Sequence, residues 1–194
     1  MAATDQSLLQ LSTRLSVLIR DPTNSTWSQI EVGEALAEAV DNDQWLLQKR
    51  RDTTLTSIAG QSIYPLPSGF VSVDEMAIDF YNDGFGLPID RTSWDTDDDN
   101  IYFQRRVKNL PAGHTLIITG LYKLTSTDVI PPRYQNYVLH LAAISLLEML
   151  TFSKTGKFLK NDTTMAEIMQ AIGYHTARTQ TLREQFSNRN ITEL

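Results

Sequence analysis

Cysteine is absent from all 194 residues. That excludes a disulfide framework, thiolate-ligated zinc, iron–sulfur clusters and thiol catalysis. No secretory leader is expected either, because Met1-Ala2-Ala3-Thr4-Asp5 has no basic segment with an apolar one behind it. Long hydrophobic runs are also missing. The most apolar stretch, Val138 to Leu150, carries His140, Ser145 and Glu148 and is too short and too polar to cross a bilayer. The expected compartment is therefore a cytoplasm, with no membrane partner. HExxH, GxSxG and GxxxxGK[ST] do not occur, and Thr155-Gly156-Lys157 lacks the upstream glycine of a phosphate-binding loop. No nucleophile, base and oxyanion site can be assembled. The expectation is a protein that is not an enzyme and that needs no cofactor and no metal. Positive charge is scarce too: 17 basic against 23 acidic residues, net −6. A duplex-binding surface gains affinity by releasing phosphate counterions with Lys and Arg, so this balance has the wrong sign for tight DNA binding.

What remains is ordinary globular composition, 41% hydrophobic and 21% charged with 9 Gly and 7 Pro. This length suits one core, or one core with an insertion. The charge is uneven. Residues 1–51 hold 5 basic and 7 acidic side chains, residues 52–130 hold 5 and 11, and residues 131–194 hold 7 and 5. The middle segment alone carries the net −6.

The first third reads as two helices. Leu8, Leu11, Leu15, Leu18 and Ile19 recur at helical spacing, and Asp21-Pro22 ends that helix because proline disfavours helical geometry in the residue before it. Ser28-Gln29-Ile30-Glu31 fits a capping box, from which a second helix is predicted to about Lys49. Its apolar face is Val32, Leu36, Ala39, Val40 and Leu47, and its opposite face is Glu31, Glu34, Glu38 and Asp41. From Asp52 the period changes to two. Val71, Val73, Met76, Ile78 and Phe80 alternate with polar residues, with a phase slip near Asp74-Glu75 that predicts a bulge. Ile101, Phe103 and Val107 alternate, as do Leu116, Ile118, Tyr122 and Leu124. Turn signals at Pro67-Ser68-Gly69, Asn82-Asp83-Gly84 and Asn109 to Gly113 separate the runs. Five or six antiparallel strands are predicted between Asp52 and Tyr122.

Pro131-Pro132 opens the helical last third. Tyr134 to Thr151 is apolar nearly all round and predicts a buried helix. Asp162 can cap a final helix to about Ser187, with a seam of Met165, Ile168, Ile172, His175, Thr179, Leu182 and Phe186. The predicted fold class is α+β. A discontinuous helical bundle, two N-terminal and two C-terminal helices from residues 1–51 and 131–194, carries an inserted antiparallel β domain at 52–130.

Several clusters invite a chemical reading. Asp95-Thr96-Asp97-Asp98-Asp99-Asn100 resembles the start of a calcium loop. Its sixth and twelfth positions are Asn100 and Arg106 where an EF-hand needs Gly and Glu, so a solvated acidic hairpin tip is favoured. A glycosidase carboxylate pair has no support beyond the abundance of carboxylates. His114, His140 and His175 are scattered, and the latter two fit hydrogen-bonded packing residues. Lys154, Lys157 and Lys160 form a basic cluster without interleaved aromatics, which suits a solvent loop. Gln185 to Leu194, with helix-breaking Asn188 and Asn190, reads as a frayed tail that can order on a partner through Ile191 or Leu194.

The order of these segments carries a resemblance. Leu15 to Arg20, Asp21, then Thr26-Trp27-Ser28-Gln29-Ile30-Glu31 before an Ala-rich helix resembles the opening of tailed-bacteriophage head-to-tail adaptor proteins. Ser62-Ile63-Tyr64-Pro65-Leu66-Pro67-Ser68-Gly69-Phe70 is similar to that family's Tyr-x-Leu-Pro-x-x-Phe strand entry, although an acidic residue before the Phe is commoner there. Pro88-Ile89-Asp90 and Tyr134-Gln135-Asn136-Tyr137-Val138-Leu139 are similar as well, and Asp90-Arg91-Thr92-Ser93 resembles tail tubular adaptors of short-tailed phages. The resemblance implies a virion protein at the neck, assembled in the host bacterial cytoplasm. It implies a homo-oligomeric ring of twelve copies, docked between the portal protein and a tail or neck protein. DNA would pass through the lumen without specific binding. Under that reading Glu31, Glu34, Glu38, Asp41, Asp95, Asp97, Asp98 and Asp99 are candidates to line the channel, where negative charge repels the duplex. Gln185, Phe186, Asn188, Arg189, Ile191 and Leu194 are candidates for portal contact. A tail-completion or stopper protein of the neck and a generic cytosolic binding module are the alternatives.

Overall fold

The computed structural model describes residues 6–21, 23, 26–104, 110–152 and 165–192, and for residues 152 and 187–192 the backbone alone. Among the described residues four α-helices, one short 3-10 helix at Arg91–Ser93 and seven strands make an α+β fold whose chain divides into two compact units. One comprises Met1–Leu46 and Leu124–Leu194, the other Leu47–Lys123.

In the helical unit α1 spans Leu8–Leu18 and α2 spans Gln29–Asp41. The turn after α1 is fixed by Arg20, at φ 60°, and by buried Asp21, whose carboxylate accepts the amides of Thr26 and Trp27 at 2.9 Å each. The capping box of α2 is formed. The Ser28 hydroxyl oxygen accepts the Glu31 amide at 3.2 Å, and the Glu31 carboxylate accepts the Ser28 amide at 2.7 Å. Ser28→Ala leaves the Glu31 amide without its acceptor and is expected to cost about 1 kcal/mol, read as a lower urea midpoint of the helical signal.

Helix α3 spans Pro132–Phe152 and α4 spans Met165–Thr192. Helix α3 packs against α1, α2 and α4, which is why its apolar residues run nearly all round it. Tyr137, Val138, Leu139, Ala142, Ala143 and Leu146 are all buried. The seam on α4 faces inward at Ile168, His175, Thr179 and Leu182, whereas Met165 at its start is exposed.

In the β unit β1 is Leu47–Thr56, β2 Ile63–Pro65, β3 Phe70–Asp79, β4 Leu87–Pro88, β5 Trp94–Thr96, β6 Asn100–Phe103 and β7 Thr115–Lys123. All pairings are antiparallel. One sheet has the order β1-β7-β3-β4 and the other β2-β6-β5. The register of β3 against β7 shifts between Val73 and Glu75, the bulge that the phase slip predicts. Tyr64, Phe70, Met76, Trp94, Ile101, Phe103, Leu116 and Ile118 belong to one core.

Two boundaries differ from the sequence expectation. Helix α2 ends at Asp41 and not near Lys49, because Asn42 caps it and the Asp43 carboxylate accepts the Trp45 amide at 2.6 Å, a local turn that replaces the next helical bond. Leu47 therefore lies on a strand and not on the apolar face of α2. Strand β1 was not expected. Its Gln48-Lys49-Arg50-Arg51-Asp52 run lacks alternation because it is an edge strand, paired only with β7 and largely exposed. At the other end α4 continues to Thr192 and not to about Ser187, so Asn188 and Asn190 are helical. Asp162, Val107, Asn109 and the Lys154, Lys157 and Lys160 cluster lie outside the described residues.

Candidate functional site

The candidate surfaces are an acidic stripe, an acidic hairpin tip and the end of the last helix. Glu31, Glu34, Glu38 and Asp41 are all exposed on one side of α2. Two of them also hold the fold. The Glu31 carboxyl is held below its ordinary range by the amide and hydroxyl of Ser28. Asp41 accepts the amide of Ser126 at 2.7 Å, fastening the end of α2 to the turn before α3. The Glu34 and Glu38 side chains make no hydrogen bond among the described residues, and both are exposed.

The second surface is the β5–β6 hairpin. Asp97 organises it: one carboxylate oxygen accepts the amides of Asp99 and Asn100 at 3.0 and 2.7 Å, and the other accepts the Tyr102 hydroxyl at 2.5 Å. The Tyr102 bond, and then the amides, lower its pKa from the ordinary carboxylate value. Asp95 accepts the Thr96 amide at 2.9 Å, and Asp95, Asp98 and Asp99 are exposed. The tip thus concentrates four carboxylates with one shape-determining member. Among the described residues no group of three or more His, Asp or Glu side chains is placed to hold a metal ion.

The third surface belongs to α4. Gln185 is exposed, but Phe186 is half-buried against its own chain, its ring edge-on to Tyr134 and Tyr137 with centroids 5.0 and 5.5 Å apart. Asn188, Arg189 and Ile191 lie on helical backbone and Leu194 is outside the described residues. Because Phe186 meets Tyr134 near the start of α3, the six helical residues after it continue for roughly 9 Å at about 1.5 Å per residue.

A polar clamp that the sequence did not reveal anchors this end. Buried Asp43 accepts the Tyr137 hydroxyl at 2.6 Å, and Arg183 reaches Asp43 at 3.4 Å and the Tyr137 oxygen at 2.8 Å. Burial, and then the Asp43 bond, push the Tyr137 hydroxyl up to about 12. The three residues are far apart in sequence, so no local spacing signals them. The clamp fixes α4 to the loop after α2 and to α3 immediately before Phe186. Farther along the same pair of helices, His140 and His175 share a hydrogen bond between their Nδ1 atoms at 2.7 Å. Each was expected to be a packing residue, and their pairing is what satisfies both. A fourth feature without a motif is the β3–β4 loop, where Asn82-Asp83-Gly84 reads as a turn but the flanking Tyr81 and Phe85 are among the most exposed apolar side chains of the described residues.

These surfaces can repel, anchor and assemble, and the described residues bring no acid, base and nucleophile together. No helix among the described residues is long and apolar enough to cross a membrane. Compared with known families, the chain matches the model described as SU10 adaptor protein over residues 6–191. No curated protein matches it.

Proposed function

The chain belongs to the SU10 adaptor protein family, a family of bacteriophage adaptors, and from that premise we propose that it forms a ring between capsid portal and tail. The coarser statements follow from membership: a structural role at the phage neck, alongside neck components such as portal and tail proteins, in a family that is typically not enzymatic. The finer reading is ours. Twelve copies close around a lumen, assembled in the host cytoplasm, and the last turns of α4 dock on the portal. The helical part and the inserted β part act as two domains of one subunit.

The observation that carries the docking assignment is the end of α4. A helix locked by the Asp43–Tyr137–Arg183 clamp and by Phe186, then continuing past that anchor, presents a directed tip at low ordering cost. Asn188, Arg189, Ile191 and Leu194 supply the contact in this reading, with Gln185 at its edge, while Phe186 is the anchor. Packaged DNA has to slide and later leave, and a lumen that bound phosphate would retain it. Glu34, Glu38 and the Asp95–Asp99 tip, with Glu31 and Asp41, offer the opposite field.

The test mixes the purified chain with portal rings and images the product by negative stain. The full chain is expected to cap portal rings, and a chain ending after Phe186 is expected to keep its cooperative unfolding transition, to give up only the helical signal of residues 187–192, and to lose capping. A full chain that leaves portals bare overturns the reading. Capping that survives the truncation overturns the assignment to the α4 tip. Binding to a preformed adaptor ring in place of the portal indicates a stopper.

A further inference from the structure

The β3–β4 loop presents two aromatic side chains to solvent on an ordered support. Tyr81 is 79% exposed and Phe85 81%, whereas Asp79 at the base of the loop is 4% exposed. The Asp79 carboxylate accepts the amides of Tyr81, Asp83 and Gly84 at 3.1, 3.3 and 2.9 Å. Arg51 donates to the Gly84 carbonyl from the neighbouring side. At the base of the loop Gly86 sits where a Cβ would come within 2.6 Å of the Ala77 Cβ. Such a loop has little freedom left to lose on docking, and ordered aromatics are the usual anchors of an interface.

The same chain carries a surface that fits them. Helices α1 and α3 border an open groove of about 370 Å³ lined in part by Val17, Leu18, Leu139 and His140. Val17 is 62% exposed there. A cavity of roughly 150 Å³ holds a benzene ring, so the groove has room for a ring of the loop. Arg14 stands at its edge, held by the amide oxygens of Gln6, Gln135 and Asn136 at 3.0, 2.8 and 3.0 Å, with no carboxylate beside it among the described residues. Asp83 lies between the two exposed aromatics, its carboxylate accepts the Phe85 amide at 2.8 Å, and it forms no ion pair among the described residues. The charges are complementary, and the apolar parts are knob and socket.

We propose that the Tyr81–Phe85 loop of one copy docks in the α1–α3 groove of a second copy, with Asp83 facing Arg14. Two unlike surfaces that fit each other make a heterologous contact, the kind that closes into a ring. The inference rests on the ring reading and names the residues that join one subunit to the next.

The experiment uses two full-length variants, Tyr81→Ser/Phe85→Ser without the knob and Val17→Glu without the socket. All three altered side chains are exposed, so both variants are expected to fold, as checked by circular dichroism. Light scattering after size exclusion should give an assembly for the unaltered chain and monomers for each variant. Self-association should fall by about thirtyfold or more, the loss expected of a hot-spot anchor. Mixing the variants leaves one good knob and one good socket per pair, so the mixture should give a dimer and nothing larger. Folded variants that still assemble overturn the contact and leave the ring reading standing. A mixture that stays monomeric overturns it as well. An unaltered chain that does not self-associate overturns the contact, and if portal rings also remain uncapped the ring reading falls with it.

Discussion

Gly120→Ala should cost the β unit about 3 kcal/mol or more, at the upper end of what overpacking does. Gly120 lies on β7, the strand between β1 and β3, opposite Arg50 on one side and Val73 on the other. A Cβ built there would sit 2.0 Å from the Ser72 carbonyl oxygen and 2.9 Å from the Val73 Cα. Both obstacles are backbone atoms, so no rotamer change relieves the clash and the β3–β7 ladder itself has to open. Gly33 on α2 is the control, because a Cβ there meets nothing within 4 Å. Gly33→Ala should instead stabilise the helical unit by roughly 0.5–1 kcal/mol through helix propensity. Urea unfolding followed by tryptophan fluorescence and by circular dichroism reads both changes. Equal, small effects of the two substitutions would show that the β3–β7 approach is looser than described.

Acidification from pH 6.5 towards 4 should destabilise the α3–α4 pair. The Nδ1 to Nδ1 bond needs one ring to donate and the other to accept, so at least one histidine has to be neutral. Burial, followed by the charges of His175 and Arg178, lowers His140 to about 4, and burial lowers His175. The Tyr174 ring packs against both histidines and brings no negative charge that would favour protonation. An unfolded histidine titrates near ~6.5. A folded value below the unfolded one means that the stability is whole above that pH and drains as pH falls through the folded values. The hydrogen-bonded carboxylates Glu31, Asp79 and Asp97 are also held below their ordinary values and act with the same sign, so the comparison with a His140 variant, and not the parent profile alone, separates the histidines. His140→Phe should lower stability at pH 7 by roughly 1–3 kcal/mol, since His175 loses its partner. It should also flatten the slope between pH 6.5 and 4.5. A parent protein with a flat profile over that range would contradict the shared-proton geometry.

The parts of the fold legible in the sequence are those governed by neighbours a few residues away. The Ser28–Glu31 box, the stop at Asp21, the bulge at Val73 to Glu75 and the all-round apolar α3 depend on local backbone chemistry or on a single period, and each is present. Strand β1 was missed for the converse reason. The residues of its first half, Leu47 to Arg51, favour a helix, and the pairing with β7 makes them extended. The end of α4 was misjudged because the intrinsic cost of Asn188 and Asn190 is small beside the packing that holds the helix just before them. The candidate surfaces divide the same way. Outward carboxylates such as Glu34, Glu38 and Asp98 can be read from a helical projection or a turn, since exposure is the default for a charge. Asp43 with Tyr137 and Arg183, His140 with His175, and Asp79 under its loop cannot, because a buried polar group acquires its role from the partner that satisfies it.

By itself, then, the order of residues determined the class of the fold and, through motifs spread over nearly the whole chain, the adaptor family. Tertiary structure alone decided which acidic groups are taken up in caps and turns and which face solvent. It decided that Phe186 is an anchor, and that two aromatics stand fixed on a loop. Periodicity encodes which face of an element is apolar, but hydrogen bonds between residues more than a hundred positions apart exist only once the chain has closed on itself.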